Sequence, residues 1–257
     1  MPDQSIHVHV QFATAASCLD APVAATTPTF VMTSVELQIE TVVLDSEYVS
    51  MLTTQMDAST GLIFYFKAYD HDAVNVALGA TTVQATIPVK RKSIRKLYSV
   101  IQPTATLNTV TTMYRREHFA HSTATNYQWD IDGERIPRQP VRCSTTEYNE
   151  AYGKYLSDIR GDDSYPPKAH LNISISPADY VGTSANPDKF VISQNLNSES
   201  AVEDTTFMSG RDLSQGDSKI TLEVNFTAMP VASRILTFVE HDRMLQVGAG
   251  GVVAIRR

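Results

Sequence analysis

Short runs in which apolar and polar residues alternate recur along almost the whole 257-residue chain. Residues 6–12 (IHVHVQF) and residues 35–42 (VELQIETV) show the alternation most clearly. A period of two places every second side chain on one face of a β-strand. These runs therefore predict strands that bury one face each, a requirement that only a layered sheet structure can meet.

About a dozen segments have this strand pattern, and clusters of Thr, Ser, Asn, Pro and Gly separate them. Besides the two runs above, the predicted strands are residues 62–69, 83–89, 94–101, 127–131, 171–175, 190–193, 220–226, 234–239, 244–247 and 252–255. Many short strands at such spacing are typical of a sandwich or a barrel, so we predict an all-β fold.

One segment has helical periodicity instead. Ser144 is a candidate N-cap with Glu147 three residues later, which together form a capping box. The apolar residues that follow at helical spacing are Tyr148, Ala151, Tyr152, Tyr155, Leu156 and Ile159. We predict one amphipathic helix, ended by Gly161, that packs against a sheet or closes one end of a barrel.

Charge is unevenly distributed in this net-acidic chain. The first 80 residues contain nine acidic residues and one basic residue, whereas residues 81–142 contain ten basic and four acidic ones. Such a chain does not resemble a general nucleic-acid binder, although its basic band could face an acidic neighbouring subunit or packaged nucleic acid. No apolar run is long enough to span a membrane. The two cysteines, Cys18 and Cys143, are far apart and suggest a reducing compartment.

The search for catalytic or metal-binding residues gives only weak candidates. His7 and His9 share a strand face, and His118 and His121 lie in a polar loop, but neither pair has the further ligands that a metal site needs. No nucleophile signature and no phosphate-binding glycine loop occurs. We therefore expect no enzyme activity, no metal and no cofactor.

Other short motifs favour ordinary surface roles. Asp70 and Asp72 are two residues apart, as are Asp130 and Asp132, and both pairs are interpreted as solvated ends of loops. The tripeptide that begins at Arg160 matches an integrin-binding sequence, but three residues are weak evidence and its glycine already ends the predicted helix.

The densest basic stretch joins two predicted strands. Its five charged residues are Lys90, Arg91, Lys92, Arg95 and Lys96. One interpretation is a charged turn that keeps a sheet edge soluble. The other is a contact turn that binds an acidic neighbouring subunit or nucleic acid.

The order of these features resembles that of double jelly-roll major capsid proteins of tailless icosahedral viruses, the lineage of adenovirus-like, large nucleocytoplasmic and polinton-like viruses. Residues 81–102 are similar to a strand, a basic turn and a strand of that family. Residues 127–155 are similar to its strand, turn and Pro-bounded segment before a Tyr-rich helix, and residues 220–255 to its closing strands. Residues 29–48 more loosely resemble the strand that closes a first barrel.

The resemblance implies a jelly-roll domain at residues 61–257, the second barrel of a double jelly-roll. Residues 1–60 would then be a linker and the end of a first, truncated or reduced barrel; a single jelly-roll coat protein is the other possibility. The implied function is structural: self-assembly with other capsid subunits, as trimers, into the icosahedral shell of a virion that is assembled in the host cytoplasm or nucleus.

Two further interpretations stay open at this stage. One is a β-sandwich module that binds carbohydrate or another ligand, with Tyr127, Trp129 and Tyr165 as its candidate contacts. The other is an enzyme of the cupin type that uses His7 and His9.

Overall fold

The computed structural model describes residues 10, 31–34, 36, 43–57, 61–104, 119–160, 175–182, 189–197, 210–248 and 253–256. Within these residues the chain forms nine strands and three helices. The strands are β1 Leu62–Val76, β2 Thr82–Ile87, β3 Ile94–Pro103, β4 Ala124–Ile131, β5 Glu134–Arg142, β6 Val191–Asn195, β7 Ile220–Phe226, β8 Ser233–Val247 and β9 Val253–Arg256. The helices are α1 Ser46–Asp57, α2 Asn149–Arg160 and α3 Pro177–Val181.

The strands form two antiparallel sheets. Sheet A has the order β1-β8-β3-β6, with β9 also paired to β8, and sheet B has the order β2-β7-β4-β5. The chain crosses repeatedly from one sheet to the other, so that its first and last long strands, β1 and β8, are neighbours. Eight strands arranged in this way form a jelly-roll. The predicted all-β jelly-roll class is confirmed.

Strand periodicity accounts for the core between the sheets. In β7 the residues at positions 220, 222, 224 and 226 are buried and those between them are partly exposed. Trp129 of β4 and Leu97 of β3 are fully buried in the same cluster. Each such side chain stabilises the fold by about 1.5–3 kcal/mol relative to its exposed state.

The last long strand is a single element, whereas the sequence predicted two segments. β8 pairs with β1 without interruption from Val247, opposite Leu62, to Ser233, opposite Val76. The polar run at residues 240–243 breaks the apolar alternation, and this break led to the wrong division. The strand continues through these residues because their charges are paired inside the protein, as described below.

Strand β5 was not predicted, because Pro137 and Pro140 lie within it. A proline lacks the N–H that a strand donates to its neighbour, so it is tolerated at the edge of a sheet. β5 is the edge strand of sheet B, and its register with β4 is irregular between Tyr127 and Trp129.

The predicted helix is present but shorter. Ser144 Oγ accepts the backbone N–H of Glu147 at 3.1 Å, so the predicted capping contact forms, but it closes a turn, and α2 begins only at Asn149. The helix ends at Arg160; the two residues that complete the tripeptide there lie outside the described residues.

The N-terminal part differs from the prediction where it is described, and most of it lies outside the described residues. In the segment 29–48, Ser46, Glu47 and Tyr48 belong to α1, and the other described residues are in no strand. The predicted strands at residues 6–12, 35–42 and 171–175 lie outside the described residues except for Val10, Glu36 and Ile175, which are in no strand. The division into a linker at 1–60 and a barrel at 61–257 stays a prediction.

Candidate functional site

The predicted contact turn divides into an exposed part and a buried part. Lys90 and Lys92 are exposed in the loop between β2 and β3, and Arg91 is partly buried. Arg95 and Lys96 are fully buried in β3. The last two residues are therefore not available on the surface of the subunit, which corrects that part of the prediction.

The exposed part of the turn is bonded to its own chain. Arg91 Nη2 lies 2.7 Å from Asp70 Oδ2, and the Lys90 ammonium donates to the carbonyl of Gly216. The pKa of Asp212 is lowered mainly by bonds from the Ser214 N–H and hydroxyl, and further by nearby Lys92. The turn thus anchors residues 210–219, while its contact with nucleic acid or an acidic neighbour stays a prediction.

A partly buried ionic cluster, called here the junction cluster, lies where β3 begins in sheet A. Its first centre is the Asp70 carboxylate, which contacts three side chains. Asp70 Oδ2 is 3.1 Å from Nε2 of His241, and Oδ1 is 3.6 Å from Nη2 of Arg243. With Arg91 at 2.7 Å, one carboxylate of β1 binds groups from β8 and from the basic turn. Asp70 is therefore not the solvated loop end that was predicted.

The second centre of the junction cluster is Arg95. Its Nη1 lies 3.3 Å from Asp242 Oδ1 and its Nε lies 4.0 Å from Glu240 Oε1. Ser93 donates to Asp242 at 2.6 Å and the Tyr69 hydroxyl donates to Glu240 at 2.9 Å. Buried charges are tolerated only when paired and hydrogen-bonded. Arg95, Asp242 and Glu240 are each paired, and each takes part in at least one hydrogen bond.

His241 is the titratable member of the junction cluster near neutral pH. Burial lowers the pKa of its imidazole, and the nearby guanidinium groups of Arg91 and Arg243 lower it further. The Asp242 carbonyl and the Asp70 carboxylate oppose this shift without reversing it. The imidazole is consequently neutral at pH 7.

The tyrosines of α2 pack inside the protein, as predicted. Tyr152 and Tyr155 contact Tyr180 of α3, with ring centroids 5.4 and 5.6 Å apart, and Tyr180 contacts Phe190 at 5.1 Å. The hydroxyls of Tyr152 and Tyr180 donate to the carbonyls of Ile175 and Val191. Burial raises the pKa of Tyr155 to about 12. Rings held in this way fix α2 against the barrel.

Lys96 of β3 interacts electrostatically with Asp158 of α2. Burial raises the pKa of Asp158 in α2, while Lys154, Ser193 and Lys96 oppose the rise. The buried ammonium of Lys96 thus helps to stabilise the charge of the Asp158 carboxylate in α2.

The candidate ligand-binding aromatics are not accessible. Tyr127 and Trp129 are fully buried between the sheets, so neither ring can stack on a sugar, and Tyr165 lies outside the described residues. A groove on the outer face of sheet B is lined by Trp129, although its side chain is fully buried, and by polar residues. Some of these polar side chains bond to one another, namely Gln84 to Glu223 and Arg135 to Gln128.

The metal candidates are also not supported within the described part of the chain. No group of three or more His, Cys, Asp or Glu side chains there is arranged to hold a metal ion. His121 is buried and bonds through Nε2 to the Cys143 carbonyl, while His7, His9 and His118 lie outside the described residues. Burial raises the pKa of the Cys143 thiol to about 12, so it is an inert core residue.

Exposed large apolar side chains are concentrated just before and within the first half of β1. Residues 43–69 hold nine of the fourteen identified among the described residues, namely Val43, Leu44, Tyr48, Met51, Ile63, Phe64, Tyr65, Phe66 and Tyr69. From residue 70 onward only Leu78 and Val231 belong to this set. The rest of the described barrel surface exposes few large apolar side chains, so this concentration marks a candidate interaction surface.

No helix in the described residues combines the length and the apolar character needed to cross a membrane. No protein-family model and no curated protein matches the chain.

Solved structures resemble the chain only broadly. VP54 of PBCV-1, fitted into a reconstruction of the virophage Sputnik, is 9% identical, with a TM-score of 0.49 over 83% of this chain and 55% of that one. A model of the PBCV-1 virus capsid is 11% identical, with a TM-score of 0.42 over 76% of this chain and 52% of that one. The mavirus major capsid protein is 9% identical, with a TM-score of 0.35 over 78% and 42%. The chain thus spans about half the length of these structures, and the jelly-roll assignment rests on its own strand order.

Proposed function

We propose that this chain is a structural subunit of an icosahedral virus capsid, located in the virion, and that it carries the second barrel of a double jelly-roll major capsid protein. One observation carries the proposal: the sequence features that resemble that family occupy consecutive parts of a jelly-roll. The basic turn joins β2 to β3, the Tyr-rich helix α2 follows β5, and the closing strands are β7, β8 and β9.

The physical design of the barrel supports a structural role. Its core is continuous between the two sheets, and its ionic groups are paired inside sheet A. The edge strand β5 carries two prolines and three arginines, which discourage another strand from pairing with it. A shell subunit needs such rigidity, and it needs sheet edges that do not pair with other strands. It also needs a surface that binds its own copies, which the exposed apolar side chains within residues 43–69 can supply.

The proposed assembly is a trimer that forms a shell with other capsid subunits. Light scattering after size-exclusion chromatography of the full chain, together with negative-stain microscopy, tests it. We expect trimers or larger particles. A chain that stays monomeric at every concentration, or that binds glycans as a monomer, would contradict a capsid role.

A further inference from the structure

Helix α1 exposes a surface that its own barrel does not cover. None of its twelve residues is buried, and Tyr48 and Met51 are 49% and 53% exposed. A helix of this length is marginal in water without tertiary packing. We call the exposed side of α1 that carries Tyr48 and Met51 the apolar surface.

The charges on α1 are all negative. Glu47 and Asp57 are exposed, the helix contains no basic residue, and no ion pair among the described residues includes either acid. Asp57 also lies at the C-terminal end, where the helix dipole disfavours a negative charge. The partner that covers α1 should therefore present apolar groups together with cations.

The outer edge of sheet B on the same protein has these properties. β5 exposes Arg138 and Arg142 with the ring of Pro140 between them. Among the described residues, the Arg142 guanidinium pairs only with Glu147, at 3.3 Å and in a solvent-exposed position. The basic turn is a poorer candidate, because Arg91 and Lys90 are already bonded within their own chain.

We propose that the apolar surface of one copy, through α1, binds the β5 edge of a second copy. The interface is heterologous, because it joins two different patches, and successive heterologous contacts can close into a ring. This inference rests on the proposed function, for which it identifies the surfaces that join the copies of a trimer. Tyr48 and Met51 supply apolar contact, while Glu47 and Asp57 face the arginines.

Reversing the charges of α1 and of β5 in the full chain tests the proposal. One variant combines Glu47→Lys with Asp57→Lys, a second combines Arg138→Glu with Arg142→Glu, and a third carries all four changes. We expect each of the first two to raise the dissociation constant of the oligomer by roughly tenfold or more. The third variant should recover assembly with itself and fail to mix with the wild type.

The apolar contact is tested with Tyr48→Ser combined with Met51→Ser, and Leu78→Ser serves as its control. Leu78 is 68% exposed but lies outside the apolar surface, so its change should leave the oligomer intact. The circular dichroism spectrum and Tm of each monomer are compared with the wild type to show that the barrel is folded.

The results of these experiments distinguish the proposed α1–β5 interface from the proposed capsid role. A wild type that assembles, with variants at α1 and β5 that assemble equally well, would overturn this interface and leave the capsid role standing. Loss of assembly in both charge variants without recovery in the combined one would show that α1 and β5 do not face each other. A wild type that never assembles would contradict the proposed function itself.

Discussion

Nε2 of the buried His241 lies 3.1 Å from Oδ2 of Asp70, at the level of sheet A where β3 begins opposite β8. The contact joins the first and last long strands of the barrel, and Asp70 also binds Arg91 of the basic turn. A single carboxylate thus connects two strands and a loop. The stability of this junction should depend on pH and on the pairing of its charges.

Stability should fall as the pH drops below about 6.5, the pKa of an unfolded histidine. Because burial lowers the pKa of His241 in the folded state, the unfolded state binds more protons between the folded pKa and 6.5. The folded state is therefore most stable above this window, and within it the free energy of unfolding falls by at most about 1.4 kcal/mol per pH unit. Urea unfolding at several pH values measures this dependence. In this window the free energy of unfolding of His241→Gln should change less with pH than that of the wild type. His71→Gln, at an exposed position, is the control and should keep the wild-type slope.

Arg95→Met should destabilise the protein by about 3–5 kcal/mol, because it removes the guanidinium that pairs with the buried carboxylates of Asp242 and Glu240. Arg142→Met removes a pair whose side chains are 69% and 58% exposed, and should cost less than about 1 kcal/mol. Denaturant unfolding of both variants measures the difference. Equal costs would mean that the junction cluster contributes no more than a surface pair.

Gly210→Ala should destabilise the barrel by about 1–3 kcal/mol. A methyl group there would lie 2.5 Å from the Ile94 carbonyl oxygen, and Arg211 exchanges two backbone hydrogen bonds with Ile94. Gly153→Ala is the matched control: a methyl group would meet no other atom within 4 Å, and alanine favours a helix interior by about 1 kcal/mol. Thermal unfolding should shift in opposite directions for the two variants.

The chain contains one tryptophan, so its fluorescence reports on a single site. Trp129 is fully buried, and we expect blue-shifted native emission that iodide does not quench, followed by a red shift on unfolding. Glycans should leave the emission unchanged. Efficient quenching of the native protein by iodide, or a spectral change on adding a sugar, would show that the ring is accessible and would revive the carbohydrate-binding interpretation.

Local patterns predicted the strands whose burial alternates. β7 was found with its bounds because apolar side chains occupy every second position, and β3 was displaced only at its end. Two elements, β5 and α1, were not predicted, for different reasons. β5 contains prolines that only an edge position tolerates, and no local pattern reveals which strand will lie at an edge. α1 was missed because its apolar residues are weakly periodic and none is buried.

The candidate site was only partly predictable. Residues 90–92 do form a charged turn, but the same basic run continues into β3, where Arg95 and Lys96 are buried. Nothing in the run itself separates its exposed half from its buried half. The difference arises because β3 lies between β8 and β6 in sheet A. β8 brings Glu240 and Asp242 to Arg95, and α2 brings the Asp158 carboxylate near Lys96.

By itself the sequence determined the β class, the packing helix and the order of features that resembles a capsid barrel, because these depend on spacing between near neighbours. The tertiary structure alone decided which charges lie inside. Tyr69 and Glu240, which share a hydrogen bond in the junction cluster, are 171 residues apart. A charged side chain is stable in a core only when its partner is also there, and strand pairing, not local composition, brings the partner.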